Sequence, residues 1–258
     1  MNRQFGLNHT VRYDECNCDG VLTPVAFLRY MQDIASRDAE DAQLVGNGYW
    51  IIKRTMMSFA SAIHLHTSLE LKTFGIGFSR ITALRGYEAR KALAPQDEPL
   101  ASAQTLWVYV NSSGRPIRLP ERTAEIWMPD GVLSPQPDQP FPVFPEHQPI
   151  ITSAVVKFSE IDLMQHLNNA AVVEILDNAG WEALASSDIN PATARFTIRE
   201  YDIEYGDSPR FGEHLEIHNW FEPFPTPGHE FTRFQHMTRG GKTMVRACSR
   251  WFWEEAEL

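Results

Sequence analysis

Cysteine is scarce: the chain of 258 residues has three. A small odd number argues against a disulfide framework and predicts free thiols in a reducing compartment, as in a cytoplasmic protein. Cys16 and Cys18 form a C-x-C pair, with Cys248 far along the chain. A structural zinc site needs four ligands, and no second pair is present, so no metal is expected there. Positive charge is also in short supply. The 23 Lys and Arg face 33 Asp and Glu, for a net charge of −10. That balance makes nucleic acid and anionic membrane surfaces poor main partners. No apolar run reaches the ~18 residues of a membrane span. The opening MNRQFGLNHTVRYDE has no apolar signal-peptide core, so no membrane insertion is expected. There is no glycine-rich phosphate loop and no G-x-S-x-G elbow, and the sequence offers no sign of a cofactor.

What is present suffices for a sizeable core. Apolar residues make up 43%, with 15 Phe and 7 Trp. Proline is unevenly spread. Residues 129–149, PDGVLSPQPDQPFPVFPEHQP, hold seven of the 17 prolines. Proline lacks the backbone donor that helix interiors and central strands need, so 129–150 reads as a stiff, extended linker between units 1–128 and 151–258.

The two halves are alike. RYDECNCDGVLTPVAFLRYMQDIA lies along KFSEIDLMQHLNNAAVVEILDNAG at a shift of 145. Leu69-Glu70-Leu71 matches Leu215-Glu216-Ile217 at a shift of 146, and AQTLWVYV (103–110) matches ACSRWFWE (247–254) at 144. Three matches in one order at nearly constant offset indicate a duplicated unit. In each unit a polar turn leads into an amphipathic helix. The first helix is predicted to start at Thr23-Pro24, a side-chain cap followed by a proline whose missing N–H costs nothing there. Phe27, Met31 and Ile34 follow at helical spacing, with Leu28 and Ala35 beside them. The second helix is predicted near Asn168-Asn169, with Val172, Val173, Leu176 and Ala179 on one stripe. Strands are predicted in SRITALRGYEARKAL, SAQTLWVYV, FTIREYDIEY, HLEIHNWF, HEFTRFQHMTR and TMVRACSRWFWE. The plan is α+β: a long helix wrapped by an antiparallel sheet, in tandem.

One stretch carries more polar chemistry than a helix start requires. VKFSEIDLMQHLNNAAVVEIL places Asp162, His166, Asn168 and Asn169 before an apolar helix. Singly, each has a plain reading: Asp162 as a turn former, His166 as a surface or capping group, the asparagines as helix caps. Elsewhere, His64-x-His66 would put two imidazoles on one strand face, a possible metal pair, but no third ligand is evident and the pair reads as structural.

The ordered set of motifs resembles a known family. S-E-I-D-x-x-x-H-L-N-N before a helix, Tyr49-Trp50 with Arg54, LWVYVNSSGRPIRLPE (106–121) and Tyr201-Asp202-Ile203-Glu204-Tyr205 are together similar to the acyl-acyl carrier protein thioesterases. That family includes plant fatty-acyl thioesterases and bacterial relatives with two fused hot-dog domains. The resemblance covers nearly the whole chain. It implies a tandem double hot-dog and hydrolysis of a fatty acyl thioester of acyl carrier protein, without a cofactor. It also implies an acyl-chain side in the first unit and catalytic roles for Asp162, His166 and Glu204 in the second. Local pattern alone does not single out Glu204. Glu200, Asp202 and Glu204 alternate with Tyr201, Ile203 and Tyr205, which reads as one solvated and one apolar face.

Two features sharpen this expectation. At the 145 shift Asp162 falls opposite Asn17 and His166 opposite Val21; at 146 Glu204 falls opposite Ser58. The first copy lacks all three groups, so the fold does not require them. The second feature is a departure: the family usually has asparagine where this chain has Met164, and a thioether donates no hydrogen bond. The expected arrangement has Asp162 and Glu204 positioning water, with His166 hydrogen-bonded to one of them. Alternatives are an acyl-coenzyme A thioesterase, a dehydratase on the same fold, or a non-catalytic acyl-binding protein with a decayed site. The carrier would meet a basic set in the first half, Arg80, Arg85, Arg90, Lys91, Arg115, Arg118 and Arg122. Fusion of two units leaves monomer or homodimer open.

Overall fold

Two long helices begin where caps and proline place them. In the computed structural model, which describes residues 2–44, 46–94, 97–131, 140–190 and 193–254, α1 is Pro24–Ala42 and the Thr23 hydroxyl accepts from the Ala26 N–H at 3.2 Å. A second long helix, Asn169–Ala185, has Asn168 as its N-cap, taking the Ala170 N–H at 2.8 Å. The apolar stripes are buried as expected: Phe27, Leu28, Met31, Ile34 and Ala35 on the first helix, Val172, Val173, Leu176 and Ala179 on the second. Each large side chain so buried contributes about 1.5–3 kcal/mol. Part of the expected linker, 132–139, lies outside the described residues.

Contacts divide the chain into two compact units. Met1–Cys16 and Arg29–Pro140 form the first; Asn17–Leu28 and Phe141–Leu258 form the second. The first unit holds β1 (Gln4–Thr10), β2 (Tyr49–Phe59), β3 (Ser68–Phe78), β4 (Thr82–Lys91), β5 (Ala101–Val110) and the short helix α2 (Thr123–Trp127). Its strands run antiparallel in the order β1-β3-β4-β5-β2. The second holds β6 (Ile150–Val155), the helix α3 (Asn169–Ala185), β7 (Phe196–Tyr205), β8 (His214–Glu222), β9 (Glu230–Arg239) and β10 (Lys242–Trp253). Its order, β6-β8-β9-β10-β7, repeats the first. The matched segments fall on matched strands, since Leu71 pairs with Leu7 and Ile217 with Thr152.

Strands β1, β2, β3 and β6 and the helix α2 were not among the predicted elements. In YWIIKRTMMSF the β2 register shifts between Ile52 and Arg54, which breaks the two-residue alternation. Strands β1 and β6 are short edge strands with weak patterns. His64 and His66 lie in the turn between β2 and β3, with His66 at a left-handed φ of 65°, rather than on one strand face.

The helix–sheet interfaces differ between units. In the first, Asp38 of α1 is fully buried and accepts from Arg3 (2.7 Å), Arg85 (2.7 Å) and Trp127 (2.6 Å). The buried face of this sheet mixes small side chains, Thr73, Ala89, Ala101, Ala103 and Thr105, with the larger Leu71 and Tyr87. In the second, Arg233 of β9 is fully buried among Trp181, Tyr201 and Trp251 and pairs with Asp177 of α3. Gly180 makes room for it, because a Cβ there would collide with the guanidinium. The carbonyl of Leu176 also accepts from Gln235 at 2.6 Å.

Candidate active site

The chain enters the site through a single helical turn, Phe158–Glu160, in which Glu160 accepts the Lys157 N–H at 2.7 Å. Ile161 then bridges Leu167, which closes Asp162–His166 into a tight loop. The Asp162 N–H donates to the His166 carbonyl at 2.9 Å, and Gln165 donates back to the Asp162 carbonyl at 3.0 Å. Asp162 Oδ1 accepts two backbone N–H groups, from Met164 at 2.8 Å and His166 at 3.3 Å. Gln165 has φ 61°, a left-handed conformation that costs a residue with a Cβ roughly 1–2 kcal/mol. Asn168 then caps α3. His166 is thus held just ahead of the positive end of a helix, where backbone N–H groups lack helical partners.

The first copy contains the same turn. Asn17 donates to the Val21 carbonyl at 2.8 Å, and Gly20 to the Asn17 carbonyl at 3.0 Å. Asn17 Oδ1 accepts from Asp19 at 3.0 Å and Val21 at 2.9 Å. Gly20 supplies the left-handed position, at φ 73°. Every hydrogen bond of the Asp162 turn has its counterpart. What the turn needs at its first position is a side-chain oxygen, and an uncharged amide meets that need. The carboxylate charge of Asp162 and the imidazole of His166 are additions that the local structure does not use.

Of the three expected residues, the structure brings two together. Asp162 and His166 share the turn, both half-buried. The expected hydrogen bond from the imidazole to an acid is not made among the described residues: Asp162 Oδ1 is engaged by the turn's N–H groups, and the ring is left without a described partner. Glu204 lies on β7. It sits opposite Arg246 in the β7–β10 ladder and accepts from Arg246 Nε at 2.8 Å and from its Nη2. The Arg246 guanidinium lies 4.9 Å from the Phe141 ring centroid. Glu200 pairs with Arg250 in the same manner, at 2.7 Å. Tyr201, Ile203 and Tyr205 fill the buried face of β7, so Glu204 projects from the other face, as the alternation indicated. No hydrogen bond or ion pair among the described residues joins Glu204 to Asp162 or His166. Arg246 went unnoticed in the sequence because its link to Glu204 depends on strand pairing, 42 residues apart.

Met164 contributes its backbone N–H to the turn, and its thioether is half exposed. The basic set of the first half divides. Arg85 is tied to Asp38 and Arg90 to Glu88, whereas Arg80, Lys91, Arg115, Arg118 and Arg122 are exposed without ion pairs among the described residues. Arg118 and Arg122 border a cavity of about 450 Å³ in the first unit, with Gln43, Asn47 and Ile126; none of Asp162, His166 and Glu204 lines it.

The cysteines are free. Burial, with Asp202 and Glu200 nearby, pushes the Cys248 thiol up to about 12. Burial and the adjacent Glu15 and Asp14 also raise Cys16. A thiol held protonated is a poor nucleophile. Ellman's reagent at pH 8 should therefore label exposed Cys18 readily and leave Cys248 unmodified until denaturant is added. Equal labelling of Cys248 in native and denatured protein would contradict its protected state. Among the described residues no His, Cys, Asp and Glu group is arranged to hold a metal, and no helix is long and apolar enough to cross a membrane.

No family model matches the sequence, and no curated protein matches it. Solved structures do. A provisionally named oleoyl thioesterase from Lactobacillus plantarum superposes with a TM-score of 0.84 at 15% identity, covering 99% of this chain and 98% of that one. The 12:0-ACP thioesterase from Umbellularia californica gives 0.79 at 15% identity over 97% and 94% of the two chains. An acyl-ACP thioesterase from Bacteroides thetaiotaomicron gives 0.74 at 15% identity over 96% and 97%. At such identity the likeness establishes the fold: a tandem double hot-dog over the full chain.

Proposed function

We propose that the protein hydrolyses fatty acyl thioesters of acyl carrier protein to free fatty acid and carrier thiol. The observation that carries this reading is the pair of matched turns. Only the second turn bears an acid and an imidazole, and its fold is satisfied without either. Full-length likeness to three proteins named as thioesterases supports the same reaction.

In this reading His166 takes a proton from water as the water oxygen bonds to the thioester carbonyl carbon. Asp162, fixed in the turn, holds the imidazole's charge as it forms. The N–H groups at the start of α3 face the carbonyl oxygen as it becomes negative. The C–S bond then breaks and the leaving thiolate takes the proton. Glu204 is the second acid, and in that role its ion pair with Arg246 sets its direction. The first unit takes the acyl chain, the side the family resemblance gives it, whereas Arg233, Trp181 and Trp251 fill the space between helix and sheet in the second.

Asp162→Asn tests the central step cleanly, because Asn17 already builds this turn. The variant should keep its stability within about 0.5 kcal/mol and lose roughly 10²–10⁴ in turnover. Thiol release from acyl carrier protein and coenzyme A thioesters of graded chain length measures this and names the carrier. Wild-type turnover by the variant would reduce Asp162 to a turn former. Met164 favours one other reading, an acyl-binding protein without hydrolysis, since it removes an amide from the site. Acyl-thioester binding with no thiol release by the wild type would establish that reading instead.

A further inference from the structure

Large apolar side chains stand in solvent around the histidine turn. Leu163 is 102% exposed, Phe158 77%, Phe211 64% and Met164 50%. Two of them meet directly. The Phe158 and Phe211 rings meet edge to face at 5.9 Å. The 209–212 loop is fastened to the turn by hydrogen bonds from Leu167 N–H to the Pro209 carbonyl (2.8 Å) and from Gly212 N–H to the Val156 carbonyl (2.9 Å). Lys157 and Arg210 lie beside these aromatics in sequence and are exposed; neither makes a salt bridge among the described residues, and Arg239, with Arg210 helping, holds the Glu213 carboxyl low.

The fold does not ask for this apolarity. In the matching turn of the first copy, the positions of Leu163 and Met164 are held by Cys18 and Asp19, with the same hydrogen bonds. The aromatic at 158 is common to both turns, as Tyr13 in the first. The apolar pair therefore appears only in the turn that carries the histidine. Contiguous apolar exposure of this kind marks an interaction surface.

We infer that this collar of Phe158, Leu163 and Phe211, edged by Lys157 and Arg210, is the docking surface for the protein that delivers the acyl group. This rests on the hydrolytic reading above. The partner's chemistry follows from the collar: an apolar contact face edged by carboxylates. Two exposed cations outside any salt bridge among the described residues, in a chain of net charge −10, favour opposite charge across the contact. A second copy of this chain fits less well, since a symmetric contact would set the same two cations against themselves.

The experiment uses an acyl carrier protein whose acyl group is joined by an amide, so that binding is read without turnover, by fluorescence anisotropy. Wild type is compared with Phe158→Ser/Phe211→Ser and, separately, with Lys157→Glu/Arg210→Glu. Both variants should bind at least about tenfold more weakly while hydrolysing a small acyl N-acetylcysteamine thioester at the wild-type rate. Because these side chains are exposed, folding should be retained, and the charge variant gives an independent reading if the apolar one misfolds. Equal binding by wild type and variants, or none by wild type, would overturn the docking assignment. So would collar-dependent binding to phosphatidylcholine–phosphatidylglycerol vesicles or collar-dependent dimerisation with carrier binding unaffected. Collar-dependent carrier binding by a protein that hydrolyses no thioester would leave the docking surface standing and remove the hydrolytic reading.

Discussion

His166→Ala is expected to lower thioester hydrolysis by roughly 10²–10⁴-fold, the usual contribution of a positioned proton acceptor, while the protein stays as stable as wild type. The two halves of this expectation come from the same observation. The His166 backbone supports the turn through its N–H to Asp162 and its carbonyl to the Asp162 N–H. Its imidazole makes no hydrogen bond to a described residue, and Val21 occupies the same place in the sister turn. Removing the ring therefore costs little folding free energy, within about 0.5 kcal/mol, but removes the group at the helix start that can move a proton. Steady-state thiol release, with urea unfolding run on the same preparations, separates the effects. A variant with unimpaired kcat and KM would show that another group does the chemistry. A variant that has lost activity and several kcal/mol of stability would show that the ring is structural.

Asp177→Ala should have the largest effect on stability, a loss of about 3–5 kcal/mol, the usual cost of removing one partner of a buried ion pair. Arg233 is fully buried and receives no compensation from solvent. Its other partners are neutral: Ser249 at 3.2 Å and the Tyr201 hydroxyl at 3.2 Å. Burial pushes the Asp177 carboxyl upward, and Arg233 opposes that shift. The double variant Asp177→Leu/Arg233→Met should recover much of the loss, because it removes the buried charge along with its partner. Urea denaturation of the two single variants and the double variant measures the coupling. Simple additivity would mean that the pair does not act as a unit. Activity on thioesters should change little in any variant that remains folded, since neither residue belongs to the histidine turn.

Much of the architecture was legible in the residues because it rests on local rules. Thr23-Pro24 and Asn168-Asn169 announce helix starts through capping, and the stripes behind them follow helical period. The duplication shows because two copies of one plan keep the same spacing of turn, helix and strand. Asp162 and His166 stood out by contrast with Asn17 and Val21, a comparison that needs only the sequence. Where local pattern was weak, the reading missed elements: β2 and β3 are each interrupted by a register shift, and β1 and β6 draw their identity from the strands they pair with.

By itself, then, the sequence determined the tandem α+β plan, the starts of the two long helices, and the place where acid and imidazole accumulate. All of these depend on residues near one another along the chain. Only the tertiary structure decided what those groups touch. That the Asp162 carboxylate serves a turn an asparagine builds equally well, that Glu204 is committed to Arg246, that Arg233 finds Asp177 across a helix and a sheet, and that Phe211 joins Phe158 beside the histidine all depend on contacts between distant segments. Strand register and helix–sheet packing set those contacts, and they are properties of the whole unit rather than of any stretch within it.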